Sequence, residues 1–310
     1  MKKELFDGKI LQAAFCGAEK YVEEHIDELN ILNVFPVPDG DTGINMFLTL
    51  QSANKAWANV NTNSASTVSA AAARGALLGA CGNSGVILSQ ILRGIAKGLE
   101  MKDRFSCIHF AQALQTAAEM ARSGVVNPVE GTILTVAREA SEMAMRMAER
   151  GASFRQMMTA IVSQSKKTVQ KTPELLPQLK EAGVVDAGAK GLLYVFQGMR
   201  DHMWNRYTRS KTHEQMTFVN VQTKINSESY GYDLQFLIRG NNLPLDIMRG
   251  KIETMGESVM VVGDDELIRV HIHTVKPDDV LAYAQDLGKI TDLIKENLDE
   301  QVQEFRAKHN

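Results

Sequence analysis

Two aspartates flank a single glycine in PVPDGDTGINM, residues 36–46, just ahead of an apolar helical pattern. Carboxylates at this spacing, in a stretch bent by proline and glycine, can hold a divalent cation. Counting a calcium loop from Asp39 puts Asp39 and Asp41 at its first and third positions. Gly43, Ile44 and Leu50 then fall where a further ligand, the turn glycine and the bidentate glutamate belong, so the calcium loop fails. Magnesium with phosphate demands less, because Mg²⁺ keeps waters and takes one or two carboxylates while phosphate oxygens supply the rest. Asp39 and Asp41 meet that demand. Gly40 lets the chain turn between them, and Thr42 and Gly43 lead into a helix whose first amides and positive dipole end can meet phosphate. Taken alone, the loop is equally an Asp-Gly turn with Asp or Thr as a helix cap.

Three other helix entrances share its character. GACGNSGVILSQ, residues 79–90, brings Gly82, Asn83, Ser84 and Gly85 ahead of a strong helix; it lacks the lysine of a Walker loop. SGVVNPVEGTILTV, residues 123–136, carries Gly124, Pro128, Gly131 and Thr132, and GVVDAGAKGLLYVF, residues 183–196, carries Asp186 and Gly188. So many Gly-rich entrances exceed what capping needs; converging, they would form a phosphate cradle closed by the metal. A second metal candidate lies in RVHIHT, where His271 and His273 leave the same face of a strand, with Asp233 of YGYDLQF as the third ligand. The competing reading is a pair of partly exposed histidines with no metal.

The elements that must position these residues change type along the chain. From Gly8 to about Arg206, apolar residues recur at helical spacing, which predicts about nine helices and no strand. The Ala-rich and Met-rich faces of AAARGALLGA and SEMAMRMA read as core packing. Residues 205–229 turn polar and irregular and read as a connector, with a short strand at TFVNV. The remainder reads strand, helix, two strands about a Gly-Asp-Asp-Glu turn, helix, strand, which is the order of a ferredoxin-like sandwich. The charged end DEQVQEFRAKHN looks like a chain stopping at a linker. The expected division is thus an all-α domain at 1–206, a linker at 207–229 and a smaller α+β domain at 230–310.

Composition narrows the function classes. With 310 residues, 44% of them hydrophobic, the chain can bury a substantial core, and a net charge of −3 without any basic run gives a nucleic-acid role no electrostatic support. Cys16, Cys81 and Cys107 are odd in number and lack paired spacing, which suits a reducing compartment, and each reads as a buried apolar residue. MKKELFDGKI holds no apolar leader, and no run reaches the ~18 apolar residues of a membrane span. A cytoplasmic protein is expected.

The blocks PVPDGDTG, GNSGVILSQILRG, NPVEGTILTV and GVVDAGAKGL, in that order, resemble the N-terminal kinase domain of bacterial fatty acid kinase A, a relative of the DhaL subunit of dihydroxyacetone kinases. YGYDLQFLIR, VVGDDELIRVHIHT and KPDDVLAYAQDLG resemble the middle domain of the same family, so the resemblance spans essentially the whole chain. It implies an eight-helix DhaL-like barrel that binds ATP with magnesium ions at one end of the bundle. By position, Asp39 and Asp41 match the metal carboxylates that drive catalysis, and Asn33 stands in for a further aspartate. Thr42, Gly43 and Asn45 match the segment that follows, and Asn83, Ser84 and Gly85 match the phosphate loop. Gly124 and Ile133, with Thr132 beside them, match nucleotide-contacting positions. Asp186 and Gly188 match an Asp-Pro-Gly turn, and Lys171 aligns weakly with an arginine.

The resemblance also implies a function: transfer of phosphate from ATP to the carboxylate of a fatty acid held by a FakB-like binding protein, giving acyl phosphate for phospholipid synthesis, with homodimerisation through the middle domain. Three departures matter. Cys81 replaces the arginine of the usual GARGNSG, Asp233 replaces a cysteine that joins the two histidines in a zinc site, and the sequence stops where the family continues into a C-terminal domain that engages the partner. It therefore reads as a fragment or a short relative. The alternatives are a DhaL-like dihydroxyacetone kinase subunit, which lacks a second domain, and a non-catalytic nucleotide-binding scaffold, which Cys81 and the missing domain favour.

Overall fold

A computed structural model describes residues 4–204 and 229–309; the expected connector, apart from Ser229, and the TFVNV strand lie outside the described residues. The helical part runs α1 (Gly8–Glu23), α2 (Ile26–Ile31), α3 (Thr42–Ala58), α4 (Ala65–Leu78), α5 (Gly82–Gly98), α6 (Cys107–Ser123), α7 (Ile133–Glu149), α8 (Phe154–Leu175), α9 (Pro177–Ala182) and α10 (Ala187–Met203). The short helices α2 and α9 bring the count among the described residues above the nine expected, because six-residue turns carry too little periodicity to be read.

Local chemistry starts these helices where the sequence bends. Asp7 accepts from the Lys9 amide at 3.0 Å to cap α1, and Ser153 with Gln156 forms a capping box on α8. Asp186 accepts from the Ala189 amide at 2.6 Å to cap α10. The apolar stripe Leu11, Ala14, Phe15, Ala18 and Val22 of α1 is buried, and α1 meets α10 so closely at Gly17 and Gly198 that a methyl on either would overlap the other's backbone. One continuous core runs through this part, with Met46, Leu88, Phe105, Phe110 and Phe154 inside it.

The second part runs β1 (Tyr232–Arg239), α11 (Leu245–Ile252), a 3₁₀ turn (Glu253–Met255), β2 (Glu257–Gly263), β3 (Leu267–Thr274), α12 (Pro277–Gln285), β4 (Lys289–Asn297) and α13 (Leu298–His309). The strands form one antiparallel sheet in the order β2-β3-β1-β4. Alternation along each strand divides it into two faces. Leu234, Phe236, Ile238, Val261, Ile268, Val270 and Ile272 pack with Met248, Ile252, Val280 and Ala284 of α11 and α12. The opposite face sends Leu237, Met260, Val262 and Leu267 onto Leu77, Ala80 and Val86 of the helical part. β3 is therefore buried on both sides along its whole length.

The charged end is not a trailing linker: residues 298–309 form α13. Its sequence is polar on average, but Leu298 and Val302 fall one turn apart and pack on Val37, beside Tyr230. That apolar pair anchors the helix across the loop that carries Asp39 and Asp41.

Candidate functional site

The loop between α2 and α3 carries the paired carboxylates. Gly40, at φ 73°, makes the turn between them. The Asn33 amide group donates to Asp39 Oδ1, in a very short contact, and lies 3.4 Å from Asp41 Oδ1. Asn45, one turn into α3, donates to Asp41 Oδ2 at 2.6 Å. Asp41 occupies the cap position of α3 but makes no capping bond there. That task falls to Asn30, whose Oδ1 accepts from the amides of Gly43 at 2.7 Å and Ile44 at 3.3 Å. The simple capped-turn reading therefore does not account for Asp41, and the Gly43 amide is engaged within the protein.

A small recess of about 20 Å³ collects Asn33, Asp39, Asp41, Gly82 and Asn83 from the helical part together with Asp233, His271 and His273 from the sheet. Phe35, Pro36, Thr42, Asn83 and Ser84 are shared with a much larger cavity of about 390 Å³. That cavity continues along Val125, Val129, Thr132, Ile133, Asp186 and Gly188. The four glycine-rich helix entrances thus converge, and Thr42 Oγ1 lies 3.4 Å from Ser84 Oγ across the junction. Of the expected residues, Asp39, Asp41, Thr42, Asn83, Ser84, Thr132, Ile133, Asp186 and Gly188 line one space or the other.

Several expected residues stand back from it. Asn45 is buried behind Asp41, and Gly43 packs α3 on the Ile26 carbonyl of α2. A methyl on Gly85 would crowd Thr49 and Asn45 of α3, so Gly85 serves helix packing. Gly124 ends α6 beside Gln90 and Val262, and Lys171 is exposed on α8 away from both cavities.

Burial dominates the electrostatics. It lifts the Asp39 carboxyl well above the usual carboxylate range, and the neighbouring Asp41 charge lifts it further. Asp41 is also raised by burial, against the pull of its bond from Asn45. No lysine or arginine lines the recess among the described residues. Asp233, 4% exposed, is pushed up to about 8 by burial. Burial drives His271 well below its ordinary value and His273 down to about 4. The 3.1 Å approach of His271 Nδ1 to Asp233 Oδ1 is thus no ion pair, since burial disfavours both charges.

Asp233 Oδ1 and both ring nitrogens of His271 are buried without a hydrogen-bond partner. The donor atoms of Asp233, His271 and His273 all lie within 4.8 Å of one another. Two neutral imidazoles and a carboxyl, orphaned and converging, fit a divalent ion of the zinc class, for which two histidines and a carboxylate leave an open position. Asp39 and Asp41, buried together with no basic side chain in their recess, fit a hard cation such as magnesium. The histidines are not surface residues: His271 is 1% exposed.

Two sheet residues not foreseen from the sequence hold the entrance of α5. Gln235 Oε1 accepts from the Gly82 amide at 3.0 Å, and the Arg269 guanidinium donates to the Ala80 carbonyl in a very short contact. Strand alternation carries the signal, since Gln235 shares a face with Asp233 and Arg269 with His271 and His273. Cys81 between them is half-buried, and burial raises its thiol above its ordinary value, which disfavours the thiolate.

Two family models match successive stretches of the chain. The DAK2 domain family matches residues 36–201, and the middle-domain family of fatty acid kinase A-like proteins matches residues 229–305. Protein YloV of Bacillus subtilis (strain 168) is 36% identical over 315 residues, which cover 97% of this chain and 57% of that protein. Uncharacterized protein SSP1546 of Staphylococcus saprophyticus is 36% identical over 319 residues, covering 98% of this chain and 57% of its own length. Among solved structures, the dihydroxyacetone kinase of C. freundii (native form) superposes with a TM-score of 0.47 at 16% identity, over 63% of this chain and 34% of that one. The chain spans somewhat more than half the length of the curated relatives it matches. It belongs to the DAK2 domain family, and its sheet-bearing part is a middle domain of the fatty acid kinase A-like type.

Proposed function

We propose that this chain is a kinase that transfers the γ-phosphoryl group of ATP to the carboxylate of a fatty acid presented by a FakB-like binding protein, forming an acyl phosphate for phospholipid synthesis. The observation that carries the reading is the junction of the two spaces: a nucleotide-sized cavity narrows past Thr42, Asn83 and Ser84 into a recess holding two buried carboxylates. The apolar stretch at Val125, Val129 and Ile133 suits a base, and the narrow end suits phosphates. Asp39 and Asp41 would hold the magnesium, which when bound would neutralise phosphate charge. Asn33 and Asn45 fix the orientation of both carboxylates, and the hydroxyls of Thr42 and Ser84 stand where the phosphate chain enters. A fatty acid carboxylate is already ionised, so its oxygen attacks the γ-phosphorus without a general base, the bond to the β-phosphate oxygen breaks, and ADP leaves. Catalysis then rests on positioning and charge neutralisation.

Several finer readings belong to the same proposal. The helical part is assigned to a DhaL-like eight-helix barrel domain, and the element and strand order after Tyr230 supports a ferredoxin-like sandwich as the second domain. Asp233, His271 and His273 hold a zinc-class ion. Homodimerisation runs through the second domain, where Ile247, Val275 and Leu293 are exposed. No helix among the described residues is long and apolar enough to cross a membrane, which accords with a cytoplasmic setting. The decisive experiment mixes the chain with ATP, magnesium and a fatty-acid-loaded FakB-like protein and traps acyl phosphate as the hydroxamate. Product is expected with the wild-type chain and none with Asp39→Ala or Asp41→Ala; ATP turnover retained in the purified double variant sinks the assignment.

A further inference from the structure

We propose that the 3₁₀ turn and the bulged start of β2 form the ribose-side wall of the nucleotide cavity, with the Glu253 and Glu257 carboxylates accepting hydrogen bonds from ribose hydroxyls. The inference rests on the nucleotide reading of that cavity and assigns a nucleotide-recognition role to the middle domain. Glu253, Gly256, Glu257 and Ser258 line the 390 Å³ cavity together with the helical residues, and none of them lines the carboxylate recess. Glu257 is the cross-strand partner of His273, a recess residue, so this wall begins beside the recess and would meet the sugar that follows the phosphate chain.

The chemistry of that wall matches what a nucleoside offers. An ionised carboxylate is an acceptor only, and the sugar presents hydroxyl donors. Both glutamates are exposed at the cavity lip, and their charge repels a phosphate that would enter in the reverse direction. The backbone carries a second, independent mark. Ser258 has a φ of 51°, rare for a residue other than glycine, and the pairing of β2 with β3 slips between Glu257 and Met260. A bulge re-aims side chains and is found next to functional sites, and this one lies at the cavity wall. Beyond the slip, β2 pairs regularly with β3 from Met260 to Gly263. A nucleotide held in this way touches both parts of the chain, so its binding and the docking of the sheet on the helices reinforce each other.

Calorimetric titration of Mg-ADP and Mg-2′,3′-dideoxy-ADP into the full chain tests this without relying on turnover. In the wild type, loss of the hydroxyls weakens binding by about tenfold, the size of a hydrogen bond to a charged group. The Glu253→Ala/Glu257→Ala variant binds ADP about tenfold more weakly and no longer distinguishes the two nucleotides, because the two deletions remove the same contact. Unfolding temperatures confirm that the variant is folded. A variant that discriminates as the wild type does, or a wild type indifferent to the hydroxyls, overturns the proposal while leaving the kinase reading intact. A wild-type chain that binds no ADP brings down the kinase reading itself.

Discussion

Replacing Gly40 with alanine tests how the carboxylate loop is held. The residue sits at φ 73°, where an L side chain costs roughly 1–2 kcal/mol. Its missing side chain is also filled from outside, because a methyl on Gly40 would overlap the ring of Phe305 on α13. Forcing that ring aside adds an overpacking penalty of about 1–2 kcal/mol, so Gly40→Ala should cost about 3 kcal/mol in all. Phe305→Ala alone removes a half-buried ring and should cost about 1.5 kcal/mol. In the double variant the backbone strain remains and the overlap is gone. The combined cost should then be about 3 kcal/mol instead of the ~4.5 expected from addition, a coupling of about 1.5 kcal/mol. Urea unfolding of the full chain measures all four corners of the cycle. Magnesium-dependent ADP binding should follow the same order, because the residue that moves lies between Asp39 and Asp41. Strict additivity, or a Gly40→Ala variant as stable as the wild type, refutes the placement of α13 over the loop.

Four further outcomes follow from the buried polar groups. Asp39→Asn removes a carboxyl that burial and the Asp41 charge already oppose, so the chain in chelator should gain about 1–2 kcal/mol of stability in thermal unfolding while the proposed acyl phosphate formation should be lost. Asp186 is raised to about 7 by burial, so the folded state holds its proton more tightly than the unfolded chain. Its contribution is therefore full below the ordinary carboxylate range near pH 4 and is lost as pH climbs to about 7. Asp186→Asn, which keeps a capping oxygen, should flatten that part of the stability profile in denaturant titrations at several pH values. Gln235→Ala strands the Gly82 amide and should cost about 1–3 kcal/mol by urea unfolding. Metal analysis of purified protein should find about one zinc-class ion per chain, lost in His271→Ala but not in Cys81→Ser.

The helical part was legible because its signals are local: apolar periodicity, glycines at entrances, and Asp7, Ser153 and Asp186 at caps. The succession of strands and helices along the second part followed from equally local alternation. Asp39 and Asp41 stood out because three further Gly-rich helix entrances accompany them, since alone the pair reads equally as a capped turn. What resisted reading was whatever depends on distant pairing. Gly43 and Gly85 have the same composition as phosphate-loop glycines, yet one amide is taken by Asn30 and the other glycine packs against α3, facts set by neighbours far along the chain. Gln235 and Arg269 carry no mark in the sequence beyond their place on alternating strands; only the docking of that face on α5 makes them clamps. The closing helix was missed because its apolar residues are outnumbered by charges, and two buried side chains suffice to anchor it.

The docking of the sheet explains why so many polar groups are sealed in one place. Asp233, Gln235, Arg269, His271 and His273 share a face that would prefer water, and Arg269, 2% exposed, leaves its Nε without a partner. Burying such a stripe opposes docking by several kcal/mol unless each group is satisfied. The apolar contribution at this interface comes from a modest set of side chains, Leu77, Ala80 and Val86 against Leu237, Met260, Val262 and Leu267. Gln235 and Arg269 recover part of the cost through Gly82 and Ala80. The His271 nitrogens and Asp233 Oδ1 recover nothing from the protein. On the proposed function, a cation held by Asp233, His271 and His273 would supply what is missing in the recess. Docking of the sheet would then be coupled to loading, because a ligand that binds only the assembled site stabilises it.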